Sequence, residues 1–333
     1  METMQVLWDA ARVSHKRAMP ILSFPAVQKM NVTVERLVKS AELQAQAMEL
    51  VARETPTCAS VSLMDLSVEA EAFGAQVRFS QGEVPAIIGQ LVPDEAAARA
   101  LVVPGPERGR AGICAEAIRL AKQRIKDKPV LAGMIGPYSL AGRLMDVTEI
   151  MYACYDEPET VRLVLEKVTA YLLEYGRTLA RAGADGIVMA EPLAGLLNAE
   201  MAAEFSVPYV KRIVLALQAE GCAVIYHNCG NSTPSMLKEI FSQGASAYHF
   251  GNSVDMAAIL QQAPEDALCM GNVDPAGQFA NGTPESIAAA TRELLSRCGG
   301  HPNFVPSSGC DIPAHAKWEN IQAFFRAVEE GNR

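Results

Sequence analysis

The chain has 333 residues, 50% of them hydrophobic, enough to bury a large core as one barrel domain or two smaller domains. A net charge of -9 without any Lys/Arg cluster excludes nucleic acid as the partner, because neutralising phosphates requires a basic patch. No apolar stretch approaches the roughly 18 residues of a membrane span, and the 8 cysteines, spread along a chain without a secretory h-region at its start, predict reduced thiols and a cytoplasmic protein.

Residues 1–55 read as a helical extension, strongly so over Val34 to Arg53, that covers one end of the molecule. Residues 56–333 read as the catalytic domain. The first apolar run is Ala59 to Met64. From Glu71 to Gln90, Gly74, Gly82 and Pro85 punctuate alternating segments and predict a hairpin excursion from the first βα loop. Further short apolar runs follow at Val130 to Ile135, Gly186 to Ala190, Ala223 to His227, Ala247 to Gly251, Leu268 to Asn272 and Phe304 to Pro306. Helical stretches separate them. Over Pro158 to Ala182, for instance, Val161, Val164, Leu165, Val168, Leu172, Tyr175 and Leu179 recur at spacings of three and four, and Gly183 suits the C-cap. Repeated βα units without a Gly-rich dinucleotide fingerprint predict an α/β fold of the (β/α)8 TIM-barrel type rather than a doubly wound sheet. An eighth strand is not evident; it is either hidden near Ala100 to Val103 or distorted.

Barrel enzymes carry their chemistry at the C-terminal ends of the strands. Here those ends bear Asp65, Tyr138, Glu191, His227-Asn228-Cys229, His249 to Asn252, Asn272-Val273-Asp274 and Ser308-Gly309-Cys310-Asp311. A lone His or Cys at a strand end is more often packed than ligating. Barrel closure, however, brings the ends of two distant strands to one mouth, where His227, Cys229 and Cys310 form a donor set suited to zinc. Three protein ligands leave a fourth position for a reactant, whereas a structural site is normally filled by four. The short spacing followed by a long gap also argues against a zinc finger.

The segments Gly136-Pro137-Tyr138-Ser139-Leu140-Ala141-Gly142, Glu191-Pro192, His227-Asn228-Cys229-Gly230-Asn231, Gly271-Asn272-Val273-Asp274-Pro275 and Gly309-Cys310-Asp311-Ile312-Pro313 resemble the uroporphyrinogen decarboxylase superfamily. Within it they look most like the corrinoid-dependent methyltransferase branch, typified by the methylcobamide:coenzyme M methyltransferases. The similarity runs from about residue 55 to the end. It implies zinc on His227, Cys229 and Cys310. True decarboxylases lack that set and carry an N-terminal Arg-rich segment, where this chain reads Arg17-Ala18-Met19-Pro20-Ile21.

The resemblance implies transfer of a methyl group from methylcobalamin to a small acceptor, a thiol of the coenzyme M type or tetrahydrofolate. No Asp-x-His-x-x-Gly corrinoid motif occurs, so the methylated corrinoid arrives on a partner protein. Asn228 stands where coenzyme M enzymes are often apolar, and with His249 it predicts a more polar pocket that suits a pterin as well as a thiol. Glu191 is the candidate fourth ligand or proton acceptor, or else a carboxylate bound by loop amides. Asp311 either orients a ligand or caps a helix starting near Pro313. Asp65, Tyr138, Asn228, Asn231, His249, Asn252, Asn272 and Asp274 complete the expected substrate-binding set. The competing readings are a metal-free porphyrinogen decarboxylase and a non-catalytic corrinoid- or tetrapyrrole-binding protein.

Overall fold

Seven parallel strands curl into one sheet in the order β1 (Ser60–Val61), β4 (Val130–Ile135), β5 (Gly186–Ala190), β6 (Ala223–Asn228), β7 (Ala247–Phe250), β8 (Leu268–Val273) and β9 (Phe304–Ser308). The computed structural model describes residues 3–332. The two remaining strands, β2 (Gln76–Arg78) and β3 (Ala86–Ile88), form a separate antiparallel pair with Gln76 opposite Ile88. The helix Val68–Phe73 precedes that pair and takes up the start of the stretch expected to form the hairpin. Strands β4 to β9 are buried along nearly their whole length, as expected of runs packed on both faces of a parallel sheet. Among the described residues, no helix is long and apolar enough to cross a membrane.

The outer face of the sheet packs against helices. Pro158–Ala182 is one of them. It buries Val161, Val164, Leu165, Val168, Leu172, Tyr175 and Leu179 and ends at Gly183 with φ +108°, a conformation in which glycine carries no Cβ penalty. Each apolar side chain buried in this way contributes about 1.5–3 kcal/mol. The inner face is a second core. Val61, Leu131, Val188, Ile225, Ala247, Leu268 and Val305 fill the bore from the strands, and Val6, Leu7, Ala10 and Ala11 of the first helix and its end close it from below.

Val34 to Arg53 is helical as expected, in two helices, Val34–Val38 and Ala41–Glu54. The Thr33 side chain caps the first by accepting from the Arg36 amide, and Ser40 caps the second by accepting from the Leu43 amide. The expectations for the eighth strand and for residues 18–24 need correction. Leu101 to Val103 contribute no strand; Val102 is 76% exposed. The position between β1 and β9 is instead taken by Ala18 to Phe24, fully buried, inside the region read as helical. There the Cys58 amide donates to the Ala18 carbonyl (2.9 Å) and the Met19 amide to the Pro306 carbonyl (3.1 Å). Pro20 and Pro306 lack N–H groups, so no regular ladder can form, and serine hydroxyls substitute. Ser307 Oγ donates to the Met19 carbonyl (2.7 Å) and Ser308 Oγ accepts from the Ile21 amide (3.1 Å). A boundary at residue 55 therefore does not separate two packing units.

Candidate metal centre

Register places the site. Ala190 pairs with His227 and His227 pairs with His249 across β5, β6 and β7. Side chains alternate along a strand, so Ile225 and His227 point into the bore while Tyr226 and Asn228 point out. Cys229 follows directly on β6. Close approach at its back is possible because the residue beneath it is Gly251, where a Cβ would lie 2.5 Å from Cys229 Cα. Cys310 comes from beyond the end of β9.

The donor atoms of His227, Cys229 and Cys310 all lie within 4.8 Å of one another, and Cys310 Sγ is 3.5 Å from His227 Nε2. A tetrahedral zinc with bonds of about 2.0–2.3 Å separates its donors by roughly 3.5–3.8 Å, so the set fits that ion. The thiols bias one another. Cys229 is pulled below its ordinary range, chiefly by the hydrogen bond from Cys310, against the effect of burial. Cys310 moves well above its ordinary range, because Cys229 faces it and burial disfavours a second anion. Deprotonated sulfur is the form that binds a metal.

Below the donors runs a buried line of contacts. His227 Nδ1 lies 2.8 Å from His249 Nδ1 and 3.2 Å from the His249 carbonyl, and His249 Nε2 lies 2.8 Å from Ser307 Oγ. The rings meet edge to face with centroids 4.7 Å apart. Burial first, then the facing His227 ring, holds His249 far below the ordinary imidazole range.

The other expected site residues lie elsewhere. Glu191 is fully buried, but its carboxylate accepts from the Tyr138 amide (2.8 Å), the Ser139 amide (3.1 Å) and Ser139 Oγ (2.8 Å). It thus caps the helix Pro137–Met145 and is not among the converging donors. Burial outweighs these bonds and lifts its carboxyl to about 7. Tyr138 is buried with its hydroxyl against Met151 Sδ and Cys154 Sγ. Asp65 is bound to Arg110 and to Ser67 Oγ (2.6 Å), and Arg110 also meets Glu71 at 2.5 Å, so its carboxylate is taken up in a buried ion network. Asn228 is buried outside the bore, donating to the Tyr226 hydroxyl (3.2 Å) and accepting from the Gly230 amide (2.9 Å) and Thr233 Oγ1 (3.0 Å). It does not make the pocket polar. Asn231 and Asn252 are exposed. Asn272 donates to the carbonyls of Gly251 and Val254, and Asp274 caps the turn that follows. With Asn252 these two line a separate cleft of about 330 Å3 beside Asp255, Glu293 and Arg297. Asp311 adjoins Cys310 with one carboxylate oxygen buried and without a hydrogen-bond partner, and burial pushes it well above the carboxylate range. It caps no helix at Pro313, since the last helix begins at Trp318.

Sequence reasoning missed Ser307 and Arg110. Ser307 had a signal: two residues after inward-facing Val305, it must face the bore too. Arg110 had none beyond the need of a buried Asp65 for a cation.

The sequence pattern of the uroporphyrinogen decarboxylase (URO-D) family matches residues 13–331. The chain belongs to that family. It is 27% identical over 328 residues to a methylcobamide:CoM methyltransferase, MtbA, of Methanosarcina acetivorans, covering 94% of this chain and 95% of that one. It is also 26% identical over 303 residues to a uroporphyrinogen decarboxylase of Aeromonas salmonicida, covering 88% of this chain and 84% of that one. A solved structure of a methyltransferase from Methanosarcina mazei superposes with a TM-score of 0.86 at 22% identity over 99% of each chain. Both activities therefore occur among URO-D relatives, and the residues at the mouth must discriminate between them.

Proposed function

We propose that this URO-D family protein is a corrinoid-dependent, zinc-assisted methyltransferase that passes a methyl group from a methylated corrinoid protein to a small thiol. The observation that carries this reading is the convergence of one imidazole nitrogen and two sulfurs at the open end of the bore. When bound there, zinc supplies the positive charge that removes the proton of an incoming thiol near neutral pH. His227, Cys229 and Cys310 would hold that charge at a fixed point, and with two sulfurs among the three donors an incoming thiolate would stay electron-rich.

The methyl carbon of the corrinoid is attacked in line by the acceptor sulfur. The sulfur–carbon bond would form while the carbon–cobalt bond breaks with both its electrons remaining on cobalt, the thiol proton having passed to solvent beforehand. Holding the attacking atom in place converts an encounter into a prepared geometry, which lowers the barrier. In this reading the corrinoid comes on a partner protein, since the 333 residues carry no Asp-x-His-x-x-Gly motif.

A thiol is favoured over tetrahydrofolate as acceptor because Asn228, the residue that argued for a pterin, turns away from the bore. Decarboxylation is disfavoured at the N-terminal segment, where Ala18 to Phe24 lie buried between β1 and β9 and offer no arginine to the carboxylates of a porphyrinogen. Methylcobalamin demethylation, run with a thiol and with tetrahydrofolate on zinc-loaded and chelated protein, tests the reading. The thiol and zinc together give turnover. Demethylation that survives chelation, or uroporphyrinogen decarboxylation by the chelated protein, rejects it.

A further inference from the structure

The hydrogen-bond chain beneath the donors has only one consistent assignment of protons. Ser307 Oγ is 2.7 Å from the Met19 carbonyl, which can only accept, so the hydroxyl proton is spent there. Toward His249 Nε2, 2.8 Å away, the serine oxygen must then accept, and Nε2 carries a hydrogen. A neutral imidazole has one N–H, so His249 Nδ1 is a bare lone pair. Only 2.8 Å from it lies His227 Nδ1, which must therefore be protonated. A second contact reaches the same answer independently: His227 Nδ1 is 3.2 Å from the His249 carbonyl, another group that can only accept. The lone pair of His227 is left on Nε2, the nitrogen beside Cys310.

We propose that His249, oriented by Ser307 and the Met19 carbonyl, is a positioning residue that locks His227 in the tautomer whose Nε2 is free to ligate. The sequence placed it in the substrate-binding set. It is fully buried, with both ring nitrogens engaged by protein atoms. The role ordinarily given to a carboxylate behind a ligating histidine is filled here by a second histidine, and the chain ends on the buried segment Ala18 to Phe24. Fold closure and metal preparation thus meet at one serine. This inference rests on the zinc reading above.

Zinc affinity measured by chelator competition, without turnover, is the first readout. His249→Leu removes the acceptor and weakens zinc binding by about 10- to 100-fold, the usual cost of losing such a partner. His249→Asn, whose amide oxygen stands near the place of Nδ1, keeps affinity close to that of the parent. A folded His249→Leu protein with parental affinity overturns the inference while leaving the zinc site intact; a parent that takes up no zinc overturns both. Should His249→Leu not fold, long-range 1H–15N spectra of the zinc-loaded parent decide the matter. They show His227 protonated at Nδ1 and ligated through Nε2 if the inference holds, and the reverse assignment ends it.

Discussion

The two ends of the bore are built from the same seven strands and differ in almost every other respect. At the N-terminal end, Leu131, Val188, Ile225, Leu268 and Val305 meet Leu7 and Ala10 in a plug of carbon. At the C-terminal end the same strands present His227, His249 and Ser307, all buried, and then the two thiols. Stability is concentrated where the bore is apolar. Chemistry is concentrated where buried polar groups must find partners, because each one left unpaired costs about 1–3 kcal/mol. The contrast teaches that the first helix serves the site without touching it: it closes the lower half so that the upper half can be polar.

Two substitutions separate these roles. Cys310→Ala removes a ligand from the open end, and we expect methyl transfer and zinc uptake to fall by well over about 100-fold, beyond the cost of losing an outer partner. Metal content by mass spectrometry and methylcobalamin turnover measure this. Full activity in that variant would contradict the site. Leu7→Ala acts at the closed end and should cost about 2–5 kcal/mol of stability through the cavity it opens. Urea unfolding reads that cost, and zinc affinity measured on the folded protein stays parental. A loss of affinity as large as the loss of stability would show the two ends to be coupled.

Much of this division was legible in the sequence, for identifiable reasons. The runs at Val130, Gly186, Ala223, Ala247, Leu268 and Phe304 are strands buried on both faces, so continuous hydrophobicity marks them without alternation. His227 and Cys310 could be matched because parallel strands all end at one mouth. The closing segment was illegible because its partners are β1 and β9, the first and last strands of the sheet, and Pro20 interrupts any strand pattern. Asn228 could have been placed correctly. Once His227 faces inward, the period of two turns its neighbour outward, and that argument should have overruled the expectation of a polar pocket. Glu191 could not be placed, since only the approach of the helix Pro137–Met145 shows which amides its carboxylate accepts from.

Buried polarity outside the bore also costs stability, in a pH-dependent way, and Glu69 beside Tyr171 and Tyr175 is the place to measure it. This carboxyl is buried near the end of β4, where Oε1 accepts from the Ile135 amide at 3.0 Å and Oε2 has no partner. Burial raises it from 4.5 to about 7, against the help of that amide. Between those two values the native protein keeps the proton while the unfolded chain has released it. The unfolded state then binds fewer protons, so stability falls as pH rises from about 4.5 to about 7 and levels off above. Glu69→Gln keeps the acceptor for Ile135, puts an N–H where the retained proton would be, and cannot ionise. We therefore expect the variant to match the parent near pH 4.5 and to exceed it at pH 8 by about 1–3 kcal/mol, somewhat less than the full linkage at 1.36 kcal/mol per unit allows. Urea denaturation at the two pH values checks this, and an equal gap at both would show that the carboxyl ionises no differently in the fold than in the open chain.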